Sequence, residues 1–224
     1  MPQGSTANGI RFNHKEEMFI ADYTGHNILK AEASGKVSVY SHNAKMNQPN
    51  DIALMDNGII FASDPNWSKG DGQMWRINTD GSNTLLEKNM GTTNGIEVSS
   101  DQKHLYVNES KQLNIWVYDL NNKGAISNKK LLHKFQDGGL DGMRCDVDGN
   151  LYVTRWSSGV VVKFSPQGEL LKTIKLKGMK PTNIAFGGAD GKTAYITVAD
   201  RGNIETFRVD SPGRSWSMRN QGKK

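Results

Sequence analysis

The chain has 224 residues, 36% of them hydrophobic, and a formal net charge of +5. This length is enough for one domain with its own core, and no stretch approaches the roughly 20 apolar residues that a membrane span needs. The basic residues are scattered singly, apart from Lys129-Lys130 and Lys223-Lys224, so no nucleic-acid surface is expected. No secretory signal is visible in residues 1–5. This favours a cytoplasmic location, and a periplasmic or secreted one stays open if the N-terminus is incomplete.

A short phrase recurs along the chain: a polar residue, then Gly or Asp, then an apolar alternation. It begins at Asn8, Asn50, Asn94, Asp141 and, in degenerate form, Thr182, at intervals of 42, 44, 47 and 41 residues. Such a period, with four short strands per unit, is typical of β-propeller blades. We therefore predict a single all-β domain over residues 1–224, with repeats near residues 8–47, 48–90, 91–138, 139–178 and 179–213 and a basic tail at 214–224.

The repeat over residues 94–135 illustrates the pattern. Strands are expected at residues 96–98, 105–107, 115–118 and 131–135, separated by turn-forming residues. Cys145, the single cysteine, is expected to be a small buried residue on a strand. The last repeat is incomplete, since Pro212-Gly213 interrupts it and residues 215–218 form at best a frayed fourth strand. No segment of useful length shows helical periodicity, and the tail is expected to be solvated.

In a propeller the first strands of all blades surround the central axis, so equivalent starting residues converge at one mouth of the channel. Asn8, Asn50, Asn94 and Asp141 occupy these positions. Amide oxygens with a carboxylate form a hard-oxygen site that suits Ca²⁺ and tolerates Mg²⁺, Mn²⁺ or Zn²⁺. The alternative is that Asn-Gly and Asp-Gly are only turn dipeptides. Against it, these dipeptides open strands and do not close hairpins.

The ends of the second strands form another layer at the same mouth. Asp64, Arg155 and Trp156 are candidates for binding or polarising a substrate, and solvated loop residues are the alternative. Trp67 and Trp156 suit either a substrate-facing wall or internal packing. The chain lacks the sequence signatures of a serine nucleophile elbow, a zinc-binding His-Glu-x-x-His and a phosphate-binding glycine loop.

Four segments together carry a resemblance to a known family and cover nearly the whole chain in order. They are Gln48-Pro49-Asn50-Asp51, Thr93-Asn94-Gly95-Ile96, Leu140-Asp141-Gly142-Met143 and Thr182-Asn183-Ile184-Ala185-Phe186-Gly187-Gly188. The chain resembles the gluconolactonase, regucalcin and senescence-marker-protein group of six-bladed propellers. The resemblance implies an all-β propeller of the six-bladed gluconolactonase-like type, of which about five blades are present here.

The resemblance also implies a divalent metal at the mouth, held by a first-blade glutamate, two asparagines and an aspartate. Asn94 and Asp141 match the asparagine and aspartate ligands, and Asn50 matches the asparagine that binds metal or substrate. The segment that carries the glutamate has no counterpart, and Glu16 and Glu17 cannot replace it because they lie in a hairpin turn. Either the chain is a shortened six-bladed protein or it closes with five blades. The missing fourth strand of the last blade favours shortening.

The family's chemistry is hydrolysis of sugar lactones and related esters. The expected function is therefore divalent-metal-dependent hydrolysis of a lactone, with a lactone or sugar acid as small-molecule partner. Asp141 would hold the metal and act as general base, Asn50 and Asn94 would complete the site, and Asp64, Arg155, Trp156 and Asn8 would contact the substrate. A non-catalytic binding propeller and a phosphotriester hydrolase using the same metal site are the alternatives. Unpaired strand edges predict self-association.

Overall fold

The computed structural model of the protein describes residues 1–220. These residues form nineteen β-strands and one short helix. The strands are arranged in five antiparallel sheets, four with four strands and the last with three. Each sheet is a meander of consecutive strands, and we number the sheets blades 1 to 5 in chain order.

The strand bounds follow the repeat. Blade 1 contains β1 (Ala7–Phe12), β2 (Met18–Asp22), β3 (Asn27–Ala31) and β4 (Val37–His42). Blade 2 contains β5 (Ile52–Leu54), β6 (Ile60–Asn66), β7 (Asp71–Ile77) and β8 (Asn83–Met90). Blade 3 contains β9 (Thr93–Val98), β10 (His104–Glu109), β11 (Asn114–Leu120) and β12 (Ile126–Lys134). Blade 4 contains β13 (Met143–Cys145), β14 (Leu151–Arg155), β15 (Val160–Phe164) and β16 (Leu170–Lys175). Blade 5 contains β17 (Pro181–Gly187), β18 (Thr193–Val198) and β19 (Asn203–Arg208), and helix α1 (Arg214–Asn220) follows it.

Apolar layers between successive blades form the core. Each layer combines side chains from two neighbouring sheets: Phe19 and Ile28 with Ile52 and Trp75, Phe61 and Met74 with Leu105 and Tyr118, Tyr106 and Ile115 with Leu151 and Phe164, and Tyr152 and Val161 with Ile184 and Ile196. Because strands alternate their side chains between two faces, each inner blade buries both faces against its neighbours. The inner strands β1, β5, β9, β13 and β17 contact one another in that order. The molecule is a five-bladed β-propeller, which confirms the all-β propeller prediction.

Two tight turns between strands contain a glycine in the left-handed backbone conformation. Gly58 and Gly149 have φ angles of 91° and 86°, a conformation that glycine adopts without steric cost. They follow Asn57 and Asp148 and close the connections between the first two strands of blades 2 and 4. These connections lie at the end of the propeller opposite to the mouth, so the strand that follows each of them runs back toward it. Cys145 lies on β13 and is buried, as predicted.

The segment after β19 departs from the sequence prediction. Residues 214–220 form helix α1, so the expected frayed strand at 215–218 is wrong. Gly213 bridges to Asp146, the amide of Val147 donates to Pro212 O at 2.9 Å, and these contacts carry the chain beneath the channel and away from β19. The amide of Ser217 then donates to Gly213 O at 3.0 Å and starts the helix.

The tail is also not wholly solvated. Arg214 and Met218 are buried, because α1 packs against β13 and β17 and closes the end of the channel opposite to the mouth. The Arg214 guanidinium donates to Leu54 O at 3.1 Å and to the carboxylate of Asp56 at 2.8 Å. The expectation for Lys223 and Lys224 lies outside the described residues. Within residues 1–220, no helix has the length and apolar character that crossing a bilayer requires.

Candidate active site at the mouth of the channel

A cavity of about 780 Å³ opens at the mouth, where the inner strands begin. Asn8, Asn50, Asn94 and Asp141, the starting residues of four successive inner strands, all line it. The structure thus brings these four predicted residues together. Trp156, also predicted, lines the cavity as well. Trp67, Ser110 after the second strand of blade 3, and Thr182 and Asn183 at the start of the degenerate repeat line it too. Sequence reasoning did not single out four further lining residues: Arg144, Tyr195, Thr197 and Ile204.

The glycine that follows Asn8 and the one that follows Asp141 explain how neighbouring inner strands come so close at the mouth. The amide of Gly9 donates to Asn50 O, and the amide of Gly142 donates to Thr182 O, both at 2.8 Å. A Cβ atom on Gly9 would lie 2.7 Å from the Cα of Asp51, and one on Gly142 would lie 2.1 Å from Asn183 Oδ1. Glycine is therefore needed for close approach of neighbouring inner strands. The alternative of turn chemistry does not describe these positions, since both glycines lie where one inner strand meets the next.

In blades 2 and 3 the second strand holds this arrangement through a polar side chain near its end. Ser63 Oγ accepts from the amide of Asp51 at 3.0 Å. Asn108 accepts from the amide of Gly95 at 3.2 Å and donates to Asp141 O at 2.6 Å. Asn108 thus fixes the main chain of Asp141 from the neighbouring blade.

Asp141 is the one acidic residue among those that line the cavity. Burial raises the pKa of its carboxyl well above the ordinary value, and the negative charge of Asp51 acts in the same direction. Hydrogen bonds from Asn94 and from the amide of Gly142 oppose this shift in part. The charged form of Asp141 therefore lacks full compensation from the protein, and a cation at the mouth would supply it.

Below the mouth lies a buried network of charged side chains that sequence reasoning missed. Arg11 donates to both carboxylate oxygens of Asp51, at 2.9 and 3.1 Å, and Arg144 lies 3.4 Å from the same carboxylate. Glu97 lies 3.7 Å from both Arg11 and Arg214 and 4.0 Å from Arg144. All five side chains are less than a tenth exposed.

The position of three of these residues in the repeat was a usable signal. Arg11, Glu97 and Arg144 each stand three residues after the first residue of the repeated motif (Asn8, Asn94 and Asp141), where blade 2 has Ala53 and blade 5 has Ala185. Side chains at this position point into the channel. Burial and the nearby Arg11 lower the pKa of Arg144 to about 10, against the opposing effect of Asp51 and Glu97.

Asp64 does not line the cavity. Its side chain is 0% exposed and accepts hydrogen bonds from the amides of Asn47 and Gln48 and from the indole of Trp75, at 2.6–2.9 Å. Burial raises the pKa of this carboxyl although these bonds oppose the shift. Asp22 and Glu109, at the same place in blades 1 and 3, likewise accept from the amides of Thr6 and Gly91. The acidic ends of the second strands thus secure the segment that enters each blade.

Arg155 has the equivalent place in blade 4 and also lies outside the cavity lining. Its guanidinium donates to Gly139 O and to the main-chain and side-chain oxygens of Asp137. It stacks on Phe135, 3.6 Å from the ring centroid. At the end of the second strand, blade 4 therefore has a hydrogen-bond donor to carbonyl groups, whereas the other blades have an acceptor for main-chain amides.

One side of the cavity is an apolar slot between blades 5 and 1, lined by Ile10, Ala185, Tyr195 and Ile204. Ile10 is 42% exposed, Tyr195 39% and Ile204 60%, although all three lie on regular strands. The opposite face of β18 is buried against blade 4 through Ala194 and Ile196. The slot exists because the face of blade 5 that carries Tyr195 and Ile204 has no sheet packed on it.

The donor set at the mouth fits a divalent cation of low affinity. Within residues 1–220, no three His, Cys, Asp or Glu side chains are grouped as a metal site would require. The available donors are the amide oxygens of Asn50 and Asn94 and the carboxyl of Asp141, which are hard ligands of the kind that Ca²⁺ prefers. A cation there would offset the raised pKa of Asp141, and one carboxylate would balance only half of its charge.

Residues 1–200 match the model of the SMP-30/Gluconolactonase/LRE-like region. The chain belongs to this family. A gluconolactonase from Zymomonas mobilis subsp. mobilis is 29% identical over 232 residues, covering 92% of this chain and 64% of the relative. A regucalcin from Xenopus laevis is 36% identical over 124 residues, covering 54% of this chain and 42% of the relative. The chain thus spans less than two thirds of the length of these curated relatives.

Among solved structures, the fold matches that of a calcium-binding regucalcin from Agrobacterium tumefaciens. The TM-score is 0.80 at 19% identity, and the match covers 93% of this chain and 77% of the other. At this identity the likeness concerns the fold. Together with the family match, it confirms the resemblance to the gluconolactonase and regucalcin group.

Proposed function

We propose that this protein hydrolyses a sugar lactone or a related cyclic ester at the mouth of its channel. The observation that carries the proposal is the convergence of Asn50, Asn94 and Asp141, from three successive blades, on one cavity. The names of the gluconolactonase and pentonolactonase relatives support the substrate class.

Asn50, Asn94 and Asp141 would hold one divalent cation, with Ca²⁺ favoured and Zn²⁺, Mg²⁺ or Mn²⁺ as alternatives. All three donors are hard oxygens, which argues against Zn²⁺, and Ca²⁺ accepts irregular coordination more readily than Mg²⁺. Such a cation supplies Lewis acidity toward a carbonyl and lowers the pKa of bound water. Asp141 lines the same cavity and would take a proton as general base. Asn8 and Trp156 would position the substrate. Asp64 and Arg155 act indirectly, by holding the segments that enter the blades.

We also propose that the complete fold is six-bladed, with a further blade in the slot between blades 5 and 1. Three observations support this: blade 5 has only three strands, its outer face exposes Tyr195 and Ile204, and the relatives are longer than this chain. A further blade would cover the slot. Without it, one carboxylate balances the cation, so we expect residues 1–224 alone to bind metal weakly and to turn over slowly.

The test is lactone hydrolysis by the monomer isolated by size exclusion, measured with glucono-δ-lactone before and after chelation and with added Ca²⁺. We expect slow turnover that needs the cation and is lost in Asp141→Asn. Asp80→Asn, in an exposed turn between β7 and β8, is the matched control and should leave turnover unchanged. Robust turnover by the chelated wild type would contradict the metal-dependent proposal.

A non-catalytic binding propeller is the second candidate, favoured by the single carboxylate in the cavity lining. The same experiment separates the two. Binding of gluconate, the hydrolysis product, without any lactone turnover at saturating Ca²⁺ would support the binding protein. Turnover that depends on Asp141 would support the hydrolase.

A further inference from the structure

Two lysines lie on two tryptophans at the rim of the cavity. Lys111 Nζ lies 5.9 Å from the ring centroid of Trp67 and donates to Trp67 O at 2.9 Å. Lys180 Nζ lies 5.4 Å from the ring centroid of Trp156. Trp67 and Trp156 both line the cavity, and Lys111 directly follows the lining residue Ser110. The first pair joins blades 2 and 3, and the second joins blades 4 and 5.

Both ammonium groups belong to exposed residues. Three carboxylates near the mouth are turned inward, whereas Asp71, Asp137 and Asp200 are exposed. Asp22, Asp64 and Glu109 are at most 4% exposed and accept hydrogen bonds from main-chain amides. Asp137 is paired with Arg155, and Asp200 accepts from the amides of Met179 and Lys180.

The inner part of the cavity does not cancel the positive charge of Lys111 and Lys180. Asp141 and Arg144 are the charged residues that line it, and they carry opposite charges. An approaching ligand therefore meets two exposed cations at the rim and a nearly balanced pair below. This arrangement favours a ligand with negative charge at the end that remains near the rim.

We infer that the site selects lactones that carry an anionic substituent away from the ring ester, such as a phosphate, sulfonate or carboxylate. The inference rests on the proposed function and names its substrate class. The lactone ring would occupy the cavity beside Asp141, its apolar face would lie on Trp67 or Trp156, and the anionic group would lie near Lys111 or Lys180. Each ammonium group lies within 5.9 Å of the centroid of an indole ring, and Lys111 is further held by its hydrogen bond to Trp67 O, which limits its freedom.

The test compares glucono-δ-lactone with its phosphomonoester on the terminal hydroxyl. The quantity measured is the ratio of kcat/KM for the phosphorylated and the neutral lactone. We expect Lys111→Met and Lys180→Met each to lower this ratio about threefold, and the double variant about tenfold, as for exposed charge pairs. Methionine has an unbranched side chain of similar length and removes the charge. Lys180→Arg should retain the ratio, and Lys36→Met, at an exposed turn on the opposite end of blade 1, is the charge-matched control.

Salt gives an independent readout. Raising sodium chloride from about 0.02 to about 0.5 M should lower the kcat/KM ratio of the two lactones in the wild type. It should lower this ratio much less in the double variant, because salt screens exposed charges and the variant lacks both of them. A ratio that is equal in wild type and double variant, with the neutral lactone still hydrolysed, would overturn the inference and leave the proposed function intact.

If no lactone is hydrolysed at all, the proposed function fails and calorimetry still decides the inference. Gluconate and its phosphomonoester are then titrated into the wild type and the double variant. Tighter binding of the phosphorylated acid that is lost in the double variant supports the rim site. Equal binding of the two acids overturns it.

Discussion

At the scale of single residues, the same type of side chain has different roles according to its depth. Asp141 lines the cavity, where burial raises its pKa, whereas Asp64 is enclosed by amide donors and secures a loop. Both were candidates for the site on sequence grounds, since both follow or precede a strand at the same mouth. The contacts of each residue, and not its type, separate a group that lines the cavity from a structural acceptor.

Asp64→Asn is expected to lower stability and to leave substrate binding little changed. The new amide nitrogen would face the donors of Asn47, Gln48 and Trp75, and breaking such buried bonds costs about 1–3 kcal/mol. Urea unfolding would measure the loss, and lactone KM would measure binding. A raised KM with unchanged stability would instead place Asp64 on the substrate. Asp80→Asn, in an exposed turn where the carboxylate accepts only from Ser82, is the control for stability.

His133 predicts a pH dependence of stability. It packs on Phe135 and Phe164, with ring centroids 4.4 and 4.8 Å away, and burial, with a smaller effect of Arg155, lowers its pKa. The unfolded chain therefore takes up this proton first, so the free energy of unfolding should fall as pH drops through about 6.5 and level off below the folded pKa. His133→Phe should reduce this dependence between pH values of about 8 and 5.5, as measured by urea unfolding. An unchanged slope in the variant would contradict the assignment.

At the scale of elements, helix α1 has a larger role than its length suggests. Arg214 reaches from α1 to Leu54 O and Asp56 in blade 2 and to Glu97 in blade 3. Two of the three arginines near Glu97 come from inner strands, and the third comes from this helix. Helix α1 thus adds a third arginine beside Glu97 from the lower end of the channel, and this arginine also pairs with Asp56.

Arg214→Met should destabilise the fold by roughly 3 kcal/mol, because it leaves buried Glu97 with less compensation. Arg219→Met is the matched control on the same helix. Its guanidinium lies 5.4 Å from the ring centroid of Phe12, a contact worth about 1 kcal/mol or less. Thermal unfolding of both variants, with Glu97→Gln combined with Arg214→Met as a rescue, measures the difference. Equal effects of the two arginine variants would show that Arg214 acts only through helix packing.

At the scale of the whole molecule, the repeat gives each blade two apolar faces. Blades 1 and 5 are the first and last in the chain, and each has one face that none of the five blades covers. Ile10 on blade 1 and Tyr195 and Ile204 on blade 5 flank the slot. Strand β19 is also the outer strand of a three-stranded sheet, so its outer edge has no neighbouring strand in that sheet. Exposed apolar edges of this kind favour pairing with another chain.

We therefore expect residues 1–224 to self-associate in a concentration-dependent way, and Ile204→Lys to weaken the association. A charge on β19 opposes both burial of the slot and pairing at the edge. Sedimentation velocity over a concentration series measures the effect. Leu131→Lys, at an exposed leucine on the outer strand β12 of blade 3, is the control and should leave association unchanged. A monomeric wild type at all concentrations would contradict the expectation.

Sequence alone determined the repeating blades, the strands within them and the convergence of Asn8, Asn50, Asn94 and Asp141, because strand alternation and repeat spacing are local properties. Tertiary structure decided what depends on distant segments. The helix at 214–220 forms where the chain contacts Asp146 and Gly191 of blades 4 and 5. The charge network of Arg11, Asp51, Glu97, Arg144 and Arg214 joins four blades and α1. The loop-holding role of Asp64 likewise depends on which amides fold back onto it. Each of these outcomes follows from a contact between residues far apart in sequence, which no local pattern encodes.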